Sequence, residues 1–78
     1  MERNTVTELS KLTAGDFYYK HGDKKKEVFN VVEVIKDRWE KVTSVVIRKR
    51  DRFGRWEEPF LKTKPEEMQV VFLRTDNE

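Results

Sequence analysis

The chain contains no cysteine. That excludes disulfide staples and thiolate zinc sites, and it fits a reducing compartment such as the cytoplasm. A single histidine, His21, leaves little for a catalytic base or an imidazole-held metal, both of which need oriented partners. Flanked by Gly22 and Asp23, it reads as a turn residue. No apolar run approaches the roughly 20 residues of a membrane-spanning helix, and no signal-peptide-like apolar segment follows Met1. The three glycines and two prolines form neither a phosphate-cradling loop nor a proline-rich tract. There is no serine nucleophile with a base beside it and no carboxylate pair of the catalytic kind. The expectation is a cytoplasmic, non-enzymatic protein without cofactor, metal or membrane contact.

Charged residues make up 41% of the 78 positions and apolar residues 36%. A composition this polar raises the question of disorder, but disordered chains are poor in aromatic and β-branched residues. Here Val28-Phe29-Asn30-Val31-Val32-Glu33-Val34-Ile35, Val45-Val46-Ile47 and Val70-Val71-Phe72-Leu73 supply both. The length suits one small domain, expected over residues 5–74 between flexible tails at 1–4 and 75–78. No internal repeat is evident.

Thr5-Val6-Thr7-Glu8 matches a capping box and predicts a helical turn over residues 6–12. From there the pattern is β, with strands expected over Asp16–Lys20 and over residues 27–36, 42–50, 55–62 and 68–74. The second of these is apolar on both faces, with Phe29, Val31 and Ile35 on one and Val28, Val32 and Val34 on the other. That predicts a sheet curled on itself. Glu33 interrupts it as a solvent-facing position. Pro65 is pre-set for a 3₁₀ turn ahead of the last strand. The fold class is therefore mainly β: a small five-stranded antiparallel barrel with a short N-terminal helical turn.

Asp51-Arg52-Phe53-Gly54 has the signature of a type I turn closed by a left-handed glycine. It predicts a protruding hairpin with Arg50 opposite Trp56, Lys49 opposite Glu57, Arg48 opposite Glu58, Val46 opposite Phe60 and Val45 opposite Leu61. The five strands, the opening Leu12-x-x-Gly15-Asp16-x-Tyr18 and the 3₁₀ turn before the last strand resemble Src-homology-3-like small barrels over about residues 12–74. The resemblance is architectural; the acidic loop and aromatic groove of the peptide-binding members are not present in the sequence. Short, cysteine-free, highly charged chains of this style are common among phage and mobile-element accessory proteins.

The net charge is only +2, yet it is segregated. Residues 20–26 carry four lysines against Asp23, and residues 48–56 carry five basic groups against Asp51. Cations interleaved with aromatic rings are the chemistry that phosphate backbones and stacked bases favour. Arg48, Lys49, Arg50, Arg52, Phe53, Arg55 and Trp56 are therefore the candidate contacts to nucleic acid or to an acidic protein surface. Lys24, Lys25 and Lys26 join them if the fold brings the two segments together. Base-specific readout is not indicated, since no helix is available for a major groove. The alternative is a protein-binding adaptor or inhibitor that docks by the same hairpin, by an exposed strand edge, or by a surface containing Tyr19 and Trp39. The expected assembly is a monomer or a weak homodimer.

Overall fold

Thr5-Val6-Thr7 carries three consecutive β-branched residues, and in the folded chain that preference prevails over the capping box. The computed structural model describes residues 1–76. In order they form β1 (Thr5–Glu8), a 3₁₀ turn (Leu9–Lys11), β2 (Asp16–Lys20), β3 (Phe29–Lys36), β4 (Val42–Lys49), β5 (Phe60–Thr63), a second 3₁₀ turn (Pro65–Glu67) and β6 (Gln69–Thr75). β1 pairs antiparallel with β6, from Thr5 opposite Phe72 to Glu8 opposite Gln69. The Thr5 hydroxyl donates to the Glu2 carbonyl at 2.6 Å instead of capping a helix. Only Leu9–Lys11 of the expected helical segment is helical at all.

All neighbouring strands are antiparallel in one sheet of order β1-β6-β2-β3-β4-β5. The sheet curls into a half-barrel of six strands rather than a closed barrel of five. The pairing extends into both segments expected to be tails. Asn4 N–H donates to the Phe72 carbonyl at 2.7 Å, Thr75 pairs with Asp16, and Asp76 N–H donates to the Gly15 carbonyl at 2.9 Å. The rest of the expected C-terminal tail, residues 77 and 78, lies outside the described residues.

Two of the irregularities in the sheet change what it buries. In β3 the register shifts between Val31 and Glu33. The extra residue bends the strand and changes which side chains face inward. Phe29 and Val31 are buried, Val34 packs on the core, and Val32 and Ile35 are exposed. The expected two-sided burial is thus not realised. The other irregularity lies between the hairpin and β5. Arg50 faces Trp56 as expected, but Ile47 faces Phe60 and Val46 faces Leu61, one residue out of the expected register. Pro59 lies in this stretch and has no N–H for a ladder, so regular pairing resumes only at Phe60. β5 becomes a short edge strand, with Phe60 47% and Leu61 55% exposed.

The core lies on the concave face. Tyr18, Phe29, Val31, Val45, Ile47, Val70 and Phe72 come from the sheet, and Leu9 and Leu12 from the N-terminal 3₁₀ segment. Tyr18 and Phe29 stack with ring centroids 5.2 Å apart. The two 3₁₀ turns touch each other and cover this face, tied by Leu9 N–H donating to the Met68 carbonyl at 2.9 Å. Each fully buried aliphatic side chain contributes about 1.5–3 kcal/mol, so the N-terminal segment is part of the domain's stability.

Candidate functional site

The loop at 51–55 forms as its sequence dictates. Gly54 has φ +82°, its N–H donates to the Asp51 carbonyl at 3.0 Å, and Asp51 N–H donates to the Arg55 carbonyl at 2.7 Å. The Asp51 carboxylate accepts from Phe53 N–H at 2.8 Å and Arg55 N–H at 2.9 Å. This network shapes a tip on which Phe53 is 68% exposed. The Arg52 and Arg55 guanidiniums lie 4.9 and 5.5 Å from its ring centroid. Arg55 also pairs with Asp51 at 3.6 Å.

Behind the tip, Lys49 lies opposite Glu57 as expected, with Glu57 N–H donating to the Lys49 carbonyl at 2.8 Å, but the cationic side chains make other contacts. Lys49 Nζ meets Glu27 at 3.2 Å, not Glu57. Arg48 Nε donates to Asn30 Oδ1 at 2.9 Å, and its guanidinium lies 4.6 Å from the Trp56 ring centroid. The register slip near Pro59 accounts for the loss of the Glu58 partner. Arg50 is 5.8 Å from the same ring. Trp56 in turn packs on Phe17 at 5.7 Å, and Phe17 carries Arg74 at 4.1 Å. A row of alternating guanidiniums and rings therefore fastens the arm to the sheet face opposite the core. Among the described residues, Arg48, Arg50, Arg52 and Arg74 have no carboxylate within ion-pair distance.

The lysine loop is organised by Asp23. Its carboxylate accepts from Lys25 N–H at 3.1 Å and Glu27 N–H at 3.4 Å, and Lys26 adopts a left-handed φ of +50°. Arg50 N–H donates to the Val28 carbonyl at 2.9 Å, which joins the loop's exit to the arm's root. Between them lies an open cleft of about 470 Å³. Lys25, Lys26, Lys49, Arg50 and Arg52 line it, with Glu27, Asp51 and Glu57 among them. Lys24 is exposed but does not line the cleft. The fold thus brings two lysines of the loop to the basic arm.

Tyr19 is half-buried, with Lys26 5.8 Å from its ring centroid. Trp39 is 72% exposed in the β3–β4 turn, at the other end of the β3–β4 hairpin from the lysine loop. The two do not form one surface. His21 N–H donates to the Gln69 carbonyl at 3.1 Å. Among the described residues no group of three or more His, Cys, Asp or Glu is placed to hold a metal, and no helix is long and apolar enough to cross a membrane.

Sequence reasoning missed Phe17 and Arg74. No sequence signal marks them, because they meet Trp56 only through sheet pairings far apart in the chain. Pro59 was a legible sign of the register slip that freed Arg48. Compared with protein-family models, with curated proteins and with solved structures, the chain matches none.

Proposed function

We propose that the protein is a non-catalytic binding module that contacts nucleic acid, alone or within a nucleoprotein complex, through the basic arm and the adjoining lysine loop. The observation that carries this reading is the cleft in which Lys25 and Lys26 stand beside Arg50 and Arg52, next to a tip where Phe53 is exposed between two guanidiniums. Converging cations favour phosphates, and an exposed ring flanked by arginines favours a base face. Trp56 supports the arm, because its ring is taken up by Phe17, Arg48 and Arg50. The likeness to Src-homology-3-like small barrels belongs to this proposal as architecture, and so does a cytoplasmic setting.

The test is fluorescence anisotropy against labelled oligonucleotides at low and physiological salt. We expect micromolar binding that weakens steeply with salt, and a triple Arg50→Ala/Arg52→Ala/Arg55→Ala variant that flattens the salt slope by roughly two to three. Unchanged affinity and slope in that variant would remove the arm from the site.

A second reading, a protein-binding adaptor or inhibitor, is favoured by one observation. β5 is an edge strand with Phe60 and Leu61 exposed, a geometry that accepts an added strand. A protein partner held this way survives nuclease treatment in a pull-down, whereas a nucleic-acid bridge does not.

A further inference from the structure

The turn at 37–41 is built like the turn at 51–55. Asp37 plays the part of Asp51: its carboxylate accepts from Trp39 N–H at 2.9 Å and Lys41 N–H at 3.0 Å, as Asp51 accepts from Phe53 and Arg55. Asp37 N–H donates to the Lys41 carbonyl at 2.9 Å, and Glu40 N–H to the Asp37 carbonyl at 3.0 Å. The left-handed position held by Gly54 at φ +82° is held by Glu40 at φ +62°. At the tip, Arg38 lies 4.2 Å from the Trp39 ring centroid, as Arg52 lies 4.9 Å from that of Phe53. Both rings are about equally exposed. Asp-Arg-Trp-Glu-Lys and Asp-Arg-Phe-Gly-Arg are thus one pattern, an aspartate, an arginine, an aromatic ring, a left-handed residue and a cation. It is a repeat too short to see before its geometry is known.

The two loops sit at opposite ends of β4, one before Val42 and one after Lys49. Eight residues of strand at about 3.3 Å each separate them by roughly 25 Å, within the molecule's longest dimension of 38 Å. We propose that the protein is bivalent: the Arg38–Trp39 tip is a second binding site for the same ligand as the Arg52–Phe53 tip, and that ligand is single-stranded nucleic acid. The inference rests on the function proposed above. A ring carried on a loop backbone tied by an aspartate network meets a base with less entropy to lose than one on an untied loop, and its neighbouring guanidinium is available to the phosphate of the same nucleotide. Base faces are open to such a ring in a single strand and closed within a duplex. One strand long enough to reach both tips gains from the second contact being intramolecular.

The test uses the full chain and oligothymidylates of about 5 and about 25 nucleotides, lengths that bracket a single-site footprint. Isothermal titration is expected to give two short oligomers per protein. The long oligomer binds about tenfold or more tighter than the short one. Trp39→Ala and Phe53→Ala each reduce the short-oligomer stoichiometry to one and remove the long-oligomer gain, while Trp39→Phe keeps both. Trp39 and Phe53 are exposed, so these variants fold, which their circular dichroism checks. If Trp39→Ala changes nothing while Phe53→Ala abolishes binding, the second site is overturned and the arm remains the site. If the wild type binds neither oligomer even at low salt, both readings fail together. A duplex that competes as well as the long single strand overturns the stacking contact at both tips.

Discussion

Tyr18 offers the sharpest test of how the core is built. Its side chain is fully buried, and among the described residues its hydroxyl has no hydrogen-bond partner. A buried unpaired hydroxyl costs about 1–3 kcal/mol. Tyr18→Phe removes that atom and keeps the ring on Phe29 at 5.2 Å. The void left by one oxygen offsets part of the gain, at about 24 cal/mol per Å³. The net expectation is stabilisation by about 1 kcal/mol, which in a domain of this size raises Tm by about 4–8 °C. The same burial holds the phenol well above its ordinary range. The folded chain therefore keeps a proton that the unfolded chain releases above about pH 10. Stability contributed by that difference is complete below pH 10 and falls as pH rises, with a limiting slope of about 1.4 kcal/mol per pH unit. Urea unfolding of both proteins at neutral pH and across the alkaline range measures both effects. The wild type should show the alkaline slope, and the difference between the two proteins isolates Tyr18 from the other titrating groups. Destabilisation by 1 kcal/mol or more in the variant, or an unchanged alkaline slope, would refute the argument, because the first means that the hydroxyl is satisfied in the folded state and the second that burial does not hold its proton there.

Two further substitutions probe the supports of the sheet. Leu9→Ala opens a cavity beneath the two 3₁₀ turns, and a loss of about 2–5 kcal/mol is expected. That is a large share of the stability available to a small domain, so the urea midpoint should drop sharply. A change near zero would mean that the N-terminal segment does not belong to the core. Asn30→Ala removes the amide that donates to the Asp16 carbonyl at 3.2 Å and accepts from Arg48 at 2.9 Å. A cost of about 1–3 kcal/mol should appear together with a shift in Trp56 emission, since Arg48 loses the anchor that holds it on the indole. Emission is best followed in a Trp39→Phe background, where Trp56 is the only indole.

What was legible in the sequence was local. The alternation and β-branched runs marked β2, β3, β4 and β6, Pro65 marked the 3₁₀ turn, and Asp51 with Gly54 fixed the arm's tip. What was missed depended on partners far along the chain. Thr5-Val6-Thr7-Glu8 satisfies a helix cap and a strand equally well until Phe72, Val71 and Val70 are there to pair with it. The bulge at Val32 turns an apparently two-faced apolar strand into one with a single buried face, and nothing local to that run of valines demands it. The cations of the arm were legible as a cluster, and so were the Asp51–Arg55 pair and Trp56 opposite Arg50, but the side-chain partners of Lys49 and Arg48 were not. Glu27, just ahead of β3, and Asn30 within it reach Lys49 and Arg48, whereas Glu57 keeps its place opposite Lys49 through the backbone alone and Glu58 lies beside a proline that breaks the ladder.

The position of β6 between β1 and β2 has a consequence for how the molecule assembles. β6 is synthesised after both strands that flank it, so β1 has no partner until nearly all the described chain exists. β2 to β5 can fold as a meander of successive neighbours. β1 must wait, and Thr5 meets Phe72 only by closing almost the full length of the polypeptide. Non-local closure of this kind slows folding and leaves a β-branched segment exposed while it lasts. The lysines and arginines that crowd the loops then serve the newborn chain as well as the finished one, by keeping an unfinished sheet edge in solution until its last strand arrives.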